Sequence, residues 1–486
     1  MTDNSKSEGT APSDQAPDAK LKNSVLFVTI VSSFVTPFMA SSITVALPAI
    51  QNDLHMDAVL LAWIATAYLL SCAVFLVPFG KIADIYGRKR IFISGMLIFT
   101  LFSVLCGLAP NPATLLAFRI IQGIGTSMIF TTGMAILTSA IRPQERGKAI
   151  GLTVAAVYIG LSVGPVIGGF LTQYLTWRSV FFFAGILGVP SVYLSIWKLK
   201  TEWYGARGEK LDVFGSVLYA IALTLLMLGL STIPDVTGVL ELVSGLVLFF
   251  VFVRWEQRSR WPVFELSLFT NNRGFAFSSL AALINYSATF MVTFLLSLYL
   301  QYIKGLDPRQ AGFVLIFQPV TMAVLSPFAG RLSDKVAPRI VASSGMAISA
   351  AGLFGMIFLG DQTSIAYIIA NLVLLGSGFA LFSSPNMNAI MSSVEPRFYG
   401  LASGAVSSMR LLGQMTSMGI TTMIFSIFIG RVKITDAYHR EFLTSIEIAF
   451  VISVILCLAG IFASLARGEI QTVQEKPGDT SANATR

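Results

Sequence analysis

The chain has 486 residues; 55% are apolar, only 12% are charged, and the formal net charge is +8, with a mean hydropathy of +0.75. Soluble domains carry roughly 25% charged residues, so a water-soluble globule of this length is excluded. The loops are too short to gather the positive charge into a nucleic-acid surface, and the three cysteines (Cys72, Cys106, Cys457) lie in apolar runs without disulfide or metal spacing.

Residues 1–23 are rich in Ser, Asp, Lys, Ala and Pro and read as a disordered tail. Apolar runs of about 20 residues then alternate with short polar loops, and such a run crosses a roughly 30 Å hydrocarbon layer as a helix. Helices are predicted at 24–48, 60–80, 91–109, 113–138, 149–171, 179–197, 213–231, 237–254, 274–301, 310–330, 339–360, 365–388, 401–429 and 445–466. The first run, Ser24 to Pro48, is too long for the apolar core of a secretory signal and reads as a retained helix. Residues 467–486 form a polar tail. Fourteen spans place both tails on one side. Lys and Arg number 25 on that side and 6 on the other, with Arg119 and Arg410 inside helices. The asymmetry puts both tails in the cytoplasm of a cell (inner) membrane.

Two halves share punctuation. Gly80 and Asp84 recur as Gly330 and Asp334, at an offset of 250. Gly123, Gly125, Pro143, Gly147, Gly151 and Gly160 recur at an offset of 253, as Gly376, Gly378, Pro396, Gly400, Gly404 and Gly413. The chain therefore divides into a six-helix bundle (24–200), a two-helix insert with its flanking loops (201–260) and a second six-helix bundle (261–466).

Several motifs now carry a resemblance. Gly80-Lys-Ile-Ala-Asp84-Ile-Tyr-Gly87-Arg88-Lys89-Arg90, between the second and third helices, resembles the loop signature of the major facilitator superfamily. Arg119-Ile-Ile-Gln122-Gly123-Ile-Gly125 resembles its helix 4 signature. Gly151, Gly160, Gly164-Pro165 and Gly168-Gly169 resemble the antiporter pattern of helix 5. Trp63, Tyr68, Trp177-Arg178, and Gly400-Leu-Ala-Ser-Gly404 with Arg410, are similar to the fourteen-helix drug:proton antiporter branch. The resemblance covers 24–466. It implies an all-α membrane protein with the major-facilitator fold: two pseudo-symmetric six-helix bundles plus a two-helix insert. It also implies a proton-coupled exporter of hydrophobic or amphiphilic small molecules working by alternating access, with no cofactor. One departure stands out: aligning on Ala46-Leu47-Pro48 puts Met39 and Thr44 where the branch carries Asp and Asn. That missing carboxylate favours the alternative, an importer or facilitator of a small metabolite.

The residues have their own chemistry. Gly80, Asp84, Gly87, Arg88 and Arg90 read either as a conformational latch that holds the cytoplasmic side shut or as solvated topology markers, with Arg331 and Asp334 repeating the set. Gly160, Gly164 and Gly168 share one helix face, where glycine admits a close neighbour, while Pro165 bends the segment and Gly169 extends the pattern. Arg119 lies mid-helix with Gln122 and Thr126 on its face. An arginine there costs roughly 2.5–3.5 kcal/mol on insertion scales, so it faces the interior, either bonded to carbonyls or coupled to substrate or ion. Ser403, Ser407, Arg410, Gln414, Ser417 and Thr421 form a polar stripe lining a cavity or bonding a neighbouring helix. Asn285, Tyr286, Gln318 and Asn371 are further polar candidates.

No Asp or Glu falls in the middle third of a predicted helix; Glu241 and Glu447 come nearest, toward outer ends. The expected cavity is neutral to positive and favours neutral or anionic amphiphiles over lipophilic cations. Proton coupling would then fall to Glu241, Glu447, Asp84, His55 or a less usual group. No phosphate-binding G-x-x-x-x-G-K-[ST] is present, and His55 and His439, the two histidines, are far apart, so neither an ATP-driven pump nor a zinc or histidine-based enzyme is expected.

Overall fold

Hydrocarbon offers no water to backbone N–H and C=O groups, so each apolar run satisfies itself as a helix. The computed structural model describes residues 19–199, 201–394 and 399–467; the expected tails at 1–18 and 468–486 lie outside them. Among the described residues 14 helices are long and apolar enough to cross a membrane. These are α1 (Ala19–Leu54), α2 (Ala58–Tyr86), α3 (Arg88–Gly107), α4 (Pro112–Ala140), α5 (Pro143–Tyr174), α6 (Trp177–Lys198), α7 (Val213–Thr232), α8 (Val236–Glu256), α9 (Arg273–Thr289 and Met291–Tyr302), α10 (Pro308–Leu315 and Phe317–Lys335), α11 (Pro338–Ile357), α12 (Ile365–Ser392), α13 (Tyr399–Phe428) and α14 (His439–Ala466). Side chains cap many of their starts: Asp57, Asn111, Asp212, Asn272 and Ser364 each accept from a backbone N–H two or three residues on, and Asp307 forms a full capping box with Gln310.

Three features differ from the expected elements. The first helix starts at Ala19, inside the expected tail. The ninth and tenth spans are each broken near mid-length, where continuous helices were expected. Pro319 has no N–H, so the Leu315 carbonyl loses its ladder partner. In α9 the Met291 N–H donates to the Ser417 hydroxyl of α13 at 3.0 Å. Finally Arg467, assigned to the polar tail, is 2% exposed. It donates to the Ser464 carbonyl (2.8 Å), the Ser278 hydroxyl (3.1 Å) and Asn386 Oδ1 (3.1 Å), tying the end of α14 to α9 and α12. Burial, with the positive charge of Arg339 beside it, lowers its guanidinium to about 10.

The two halves use the same packing. In the first, α1 packs on α5 and α6, α3 on α4 and α6, and α2 on α4; in the second, α9 packs on α13 and α14, α11 on α12 and α14, and α10 on α12. The repeated glycines make matching contacts. A Cβ on Gly123 would stand 2.5 Å from the Tyr68 carbonyl, and one on Gly376 2.5 Å from that of Gln318. Gly160 and Gly413 meet Phe34 and Leu283 carbonyls in the same way, again at 2.5 Å. The insert, α7 with α8, leans on both halves: α7 touches α2 and α13, and much of α8 faces outward. Because α1 begins and α14 ends on the same side, the two faces are called here the tail side and the far side.

Candidate functional site

The seam between the halves is pinned on the far side. Ser297 Oγ donates to the Thr44 carbonyl (2.7 Å) and Gln301 Nε2 to the Val45 carbonyl (3.1 Å). The Tyr302 hydroxyl donates to Gln51 Oε1, the Ala58 N–H to the Val432 carbonyl (2.9 Å) and Arg309 Nη1 to the Tyr174 hydroxyl (3.0 Å). Glycine lets the backbones touch: a Cβ on Gly169 would overlap the Pro308 carbonyl, and one on Gly312 the Pro165 carbonyl. Among the described residues every hydrogen bond from one half to the other lies on this side. On the tail side Gly151 and Gly404, equivalent in the repeat, have no atom within 4 Å of where a Cβ would go.

Between these ends lies a cavity with about 1030 Å³ of empty space, its mouth included, at the upper end of ordinary ligand sites. Its walls come from α1, α2, α4 and α5 on one half and α9, α10, α12 and α13 on the other. They are largely apolar and aromatic. Among the lining residues Arg119 carries the single charge, and none is Asp or Glu. Arg119 is 1% exposed; Nε donates to the Ile64 carbonyl (3.1 Å), Nη1 to Gln122 Oε1 (2.6 Å), and its guanidinium carbon stands 4.1 Å from the Tyr68 ring centre. A cation in this setting is held by carbonyl, amide and ring rather than by a carboxylate.

The other expected pathway residues separate. Gln414 lines the cavity, as do Gln318 and Tyr286. Gln122 stands behind Arg119, passing its amide hydrogen to the Ser103 hydroxyl at 2.7 Å. Arg410 is not on the wall: its guanidinium reaches across to the Phe130 ring of α4, 5.5 Å away, and its Nε is buried without a partner. Asn285 is fully buried inside the second half, both amide atoms unpartnered, and Asn371 bonds the Tyr367 carbonyl of its own helix at 3.0 Å. The polar stripe of α13 is mostly structural: Ser407 and Thr421 bond carbonyls of their own helix, and Ser417 serves Met291. Thr44 is on the wall, and Met39, at the position of the missing carboxylate, is fully buried off it. Gly160, Gly164 and Gly168 lie against α1, where Ser42 Oγ donates to the Gly164 carbonyl at 2.9 Å; Pro165 and Gly169 instead meet α10.

The loop signature on the tail side has a partner that the sequence alone did not reveal. Asp84 and Arg88 pair at 2.7 Å, and Arg88 Nη1 reaches the Ser139 hydroxyl at 3.1 Å. Among the described residues neither bonds to the second half. The segment linking α6 to α7 straps them instead: the N–H groups of Gly205 and Ala206 donate to the Asp84 carbonyl, both at 3.0 Å, and the Arg88 N–H donates to the Trp203 carbonyl at 2.9 Å. Glu202 accepts from the Lys89 N–H at 2.7 Å and pairs with Arg90 at 3.7 Å, while Glu209 pairs with Lys81. Gly87 turns the corner at φ 120°, where a Cβ would stand 2.6 Å from the Glu202 carboxyl. Gly80 is looser, 3.7 Å from the Thr131 side chain. In the second half Arg331 and Asp334 are exposed and make no ion pair among the described residues. The clue in the sequence was the pair of acids, Glu202 and Glu209, in a loop on the otherwise basic side.

Comparisons with known proteins agree with this architecture. The Major Facilitator Superfamily model matches residues 29–254 and 278–484. The chain is 31% identical over 423 residues to the riboflavin transporter RibZ of Clostridioides difficile (strain 630), covering 87% of this chain and 91% of that protein. It is 29% identical over 418 residues to the multidrug resistance protein Stp of Mycobacterium tuberculosis (strain CDC 1551 / Oshkosh), covering 84% and 77%. A crystal structure of a bacterial homologue of the human lysosomal transporter Spinster, inward-facing and unoccupied, superposes with a TM-score of 0.67 at 18% identity, over 97% of this chain and all of that one.

Proposed function

That this chain belongs to the Major Facilitator Superfamily is the premise from which we propose a secondary transporter exporting hydrophobic or amphiphilic small molecules by alternating access. The observation that carries the reading is the cavity on the seam, pinned shut at one end by cross-half hydrogen bonds and unpinned at the other. The charge count supports a cytoplasmic tail side, and with that orientation this conformation receives substrate from inside the cell, in the inner membrane. Export needs a driving force, and each proton entering gains about 2.3 kcal/mol per 100 mV. No carboxylate lines the cavity, which leaves Glu241 of α8 and Glu441 of α14 as the favoured carriers, each with Oε2 buried and unpartnered. With Arg119 as the one wall charge, neutral or anionic amphiphiles suit the cavity better than lipophilic cations.

The test is flux in proteoliposomes under an imposed pH gradient, comparing an anionic dye with ethidium. Gradient-driven movement of the dye away from the tail side supports the reading; robust ethidium movement with Arg119 and Arg410 intact overturns the charge argument. A second reading, a facilitator or importer of a small metabolite, is favoured by Met39 and by the likeness to a riboflavin transporter. Uptake independent of pH would select it.

A further inference from the structure

We propose that the cavity selects flat, fused-ring aromatic compounds bearing an imide- or lactam-like edge, and that Gln318 and Gln414 read that edge. This inference rests on the export reading above for the direction of movement, though not for binding.

Most polar groups on the wall are already engaged. The Ser41, Thr44 and Thr289 hydroxyls donate to carbonyls of their own helices, at 3.0, 2.6 and 2.8 Å. The Tyr68 hydroxyl donates to Thr126 at 3.0 Å. Arg119 has given Nε–H and one Nη1 hydrogen to the protein, which leaves three N–H donors on its outer edge for carbonyl or carboxylate oxygens. Among the described residues the amides of Gln318, 8% exposed, and Gln414 and the Thr293 hydroxyl have no protein partner, and all three residues line the cavity.

A primary amide presents a donor and an acceptor side by side. Its complement is an N–H beside a C=O, the edge of an imide or lactam. Around the two amides the wall supplies five aromatic rings: Tyr68, Tyr286, Phe290, Phe294 and Phe379. Rings favour offset-stacked or edge-on partners, which flat ring systems offer and globular aliphatic compounds do not. Two free amides in an apolar cavity also discriminate, because a ligand lacking the edge leaves them unpaired once water is displaced.

The experiment is a fluorescence titration of the full-length protein in detergent with lumichrome, an uncharged flat tricycle carrying an imide edge, and with 1,3-dimethyllumichrome, in which both ring N–H groups are blocked. Lumichrome is expected to bind the wild type, and 1,3-dimethyllumichrome about tenfold more weakly, the worth of one good hydrogen bond. Gln318→Leu and Gln414→Leu should each weaken lumichrome about tenfold and narrow its advantage over the methylated probe. No lumichrome binding by the wild type, or equal binding of the two probes, overturns the proposal; the wild-type arm does not depend on the variants folding. Export and this proposal fail separately. Driven dye flux without discrimination between the probes sinks this proposal alone. Discrimination without driven flux in any vesicle sinks export alone.

Discussion

The far and tail ends of the seam hold the same two halves by different means. At the far end, Ser297, Gln301 and Tyr302 of α9 hydrogen-bond to α1, and Gly169 and Gly312 admit backbone contact between α5 and α10. None of those α9 bonds uses a charge. At the tail end the charges are plentiful, but every ion pair among the described residues joins groups of one half or ties that half to the linker. Neutral bonds and glycine contacts can be unmade without exposing an uncompensated ion to lipid. The gate that must open is therefore built mostly from weak neutral contacts, with the Arg309–Tyr174 bond its one charged tie among the described residues, and the charged loops stiffen the body that swings.

Four perturbations sharpen or break that contrast. The largest effect is expected from Gly312→Ala, whose added methyl would collide with the Pro165 carbonyl. Overpacking costs about 1–3 kcal/mol, enough to shift a two-state balance roughly 5- to 150-fold. A Ser297→Cys reporter should then react faster with an impermeant maleimide from the far side; the native cysteines are all buried and stay silent. Unchanged labelling would mean that the contact is not part of the gate. Next, Gly404→Leu fills open space in this conformation. It should leave thermal stability intact while lowering turnover about tenfold, since tail-side closure must bring that surface against the other half. Tyr302→Phe removes one hydrogen bond to Gln51 and should open the far side by about 1 kcal/mol, near fivefold in the same labelling assay.

The smallest effect concerns the tail side. Glu202→Gln with Glu209→Gln should alter transport less than about threefold, an effect that shrinks with added salt, as partly exposed ion pairs do. A related pH effect belongs to Glu145, which lies ahead of the membrane-spanning stretch of α5 and accepts from Lys22 at 2.6 Å. That hydrogen bond holds its carboxyl below the usual range. A lowered folded-state value means that the tie is fully present above the ordinary glutamate range and is lost as pH falls through the lowered value. Proteolysis of the first segment near Lys22 should accordingly rise only under strongly acid conditions, and Glu145→Gln should abolish that pH dependence.

The span count, the repeat and the buried Arg119 were legible because lipid enforces them: length, charge placement and the cost of a lone cation are all written in one dimension. The break in α9 was not, because it depends on Ser417, 126 positions away, offering its hydroxyl to Met291; the α10 break, by contrast, was written in Pro319. Asn285 looked like a pathway group by depth, and it lies fully buried in the second half. Depth says how far a residue lies from either face; it does not say whether it points at the seam, as Arg410 does toward Phe130, or into its own bundle. Arg467 was hidden for the opposite reason, a cation next to a polar tail whose partners on α9 and α12, Ser278 and Asn386, are distant in sequence.

The strap from Trp203 to Glu209 bears on how the chain could be shortened. Trimming away α7 and α8 to obtain a twelve-helix version would seem harmless, since α8 mostly faces outward. Yet the amide groups that hold the Asp84 carbonyl belong to the same stretch of chain that leads into α7. A shortened protein that rejoins α6 to α9 directly would set the corner at Gly87 adrift, whereas one that retains 201–211 ahead of the new junction keeps it fastened.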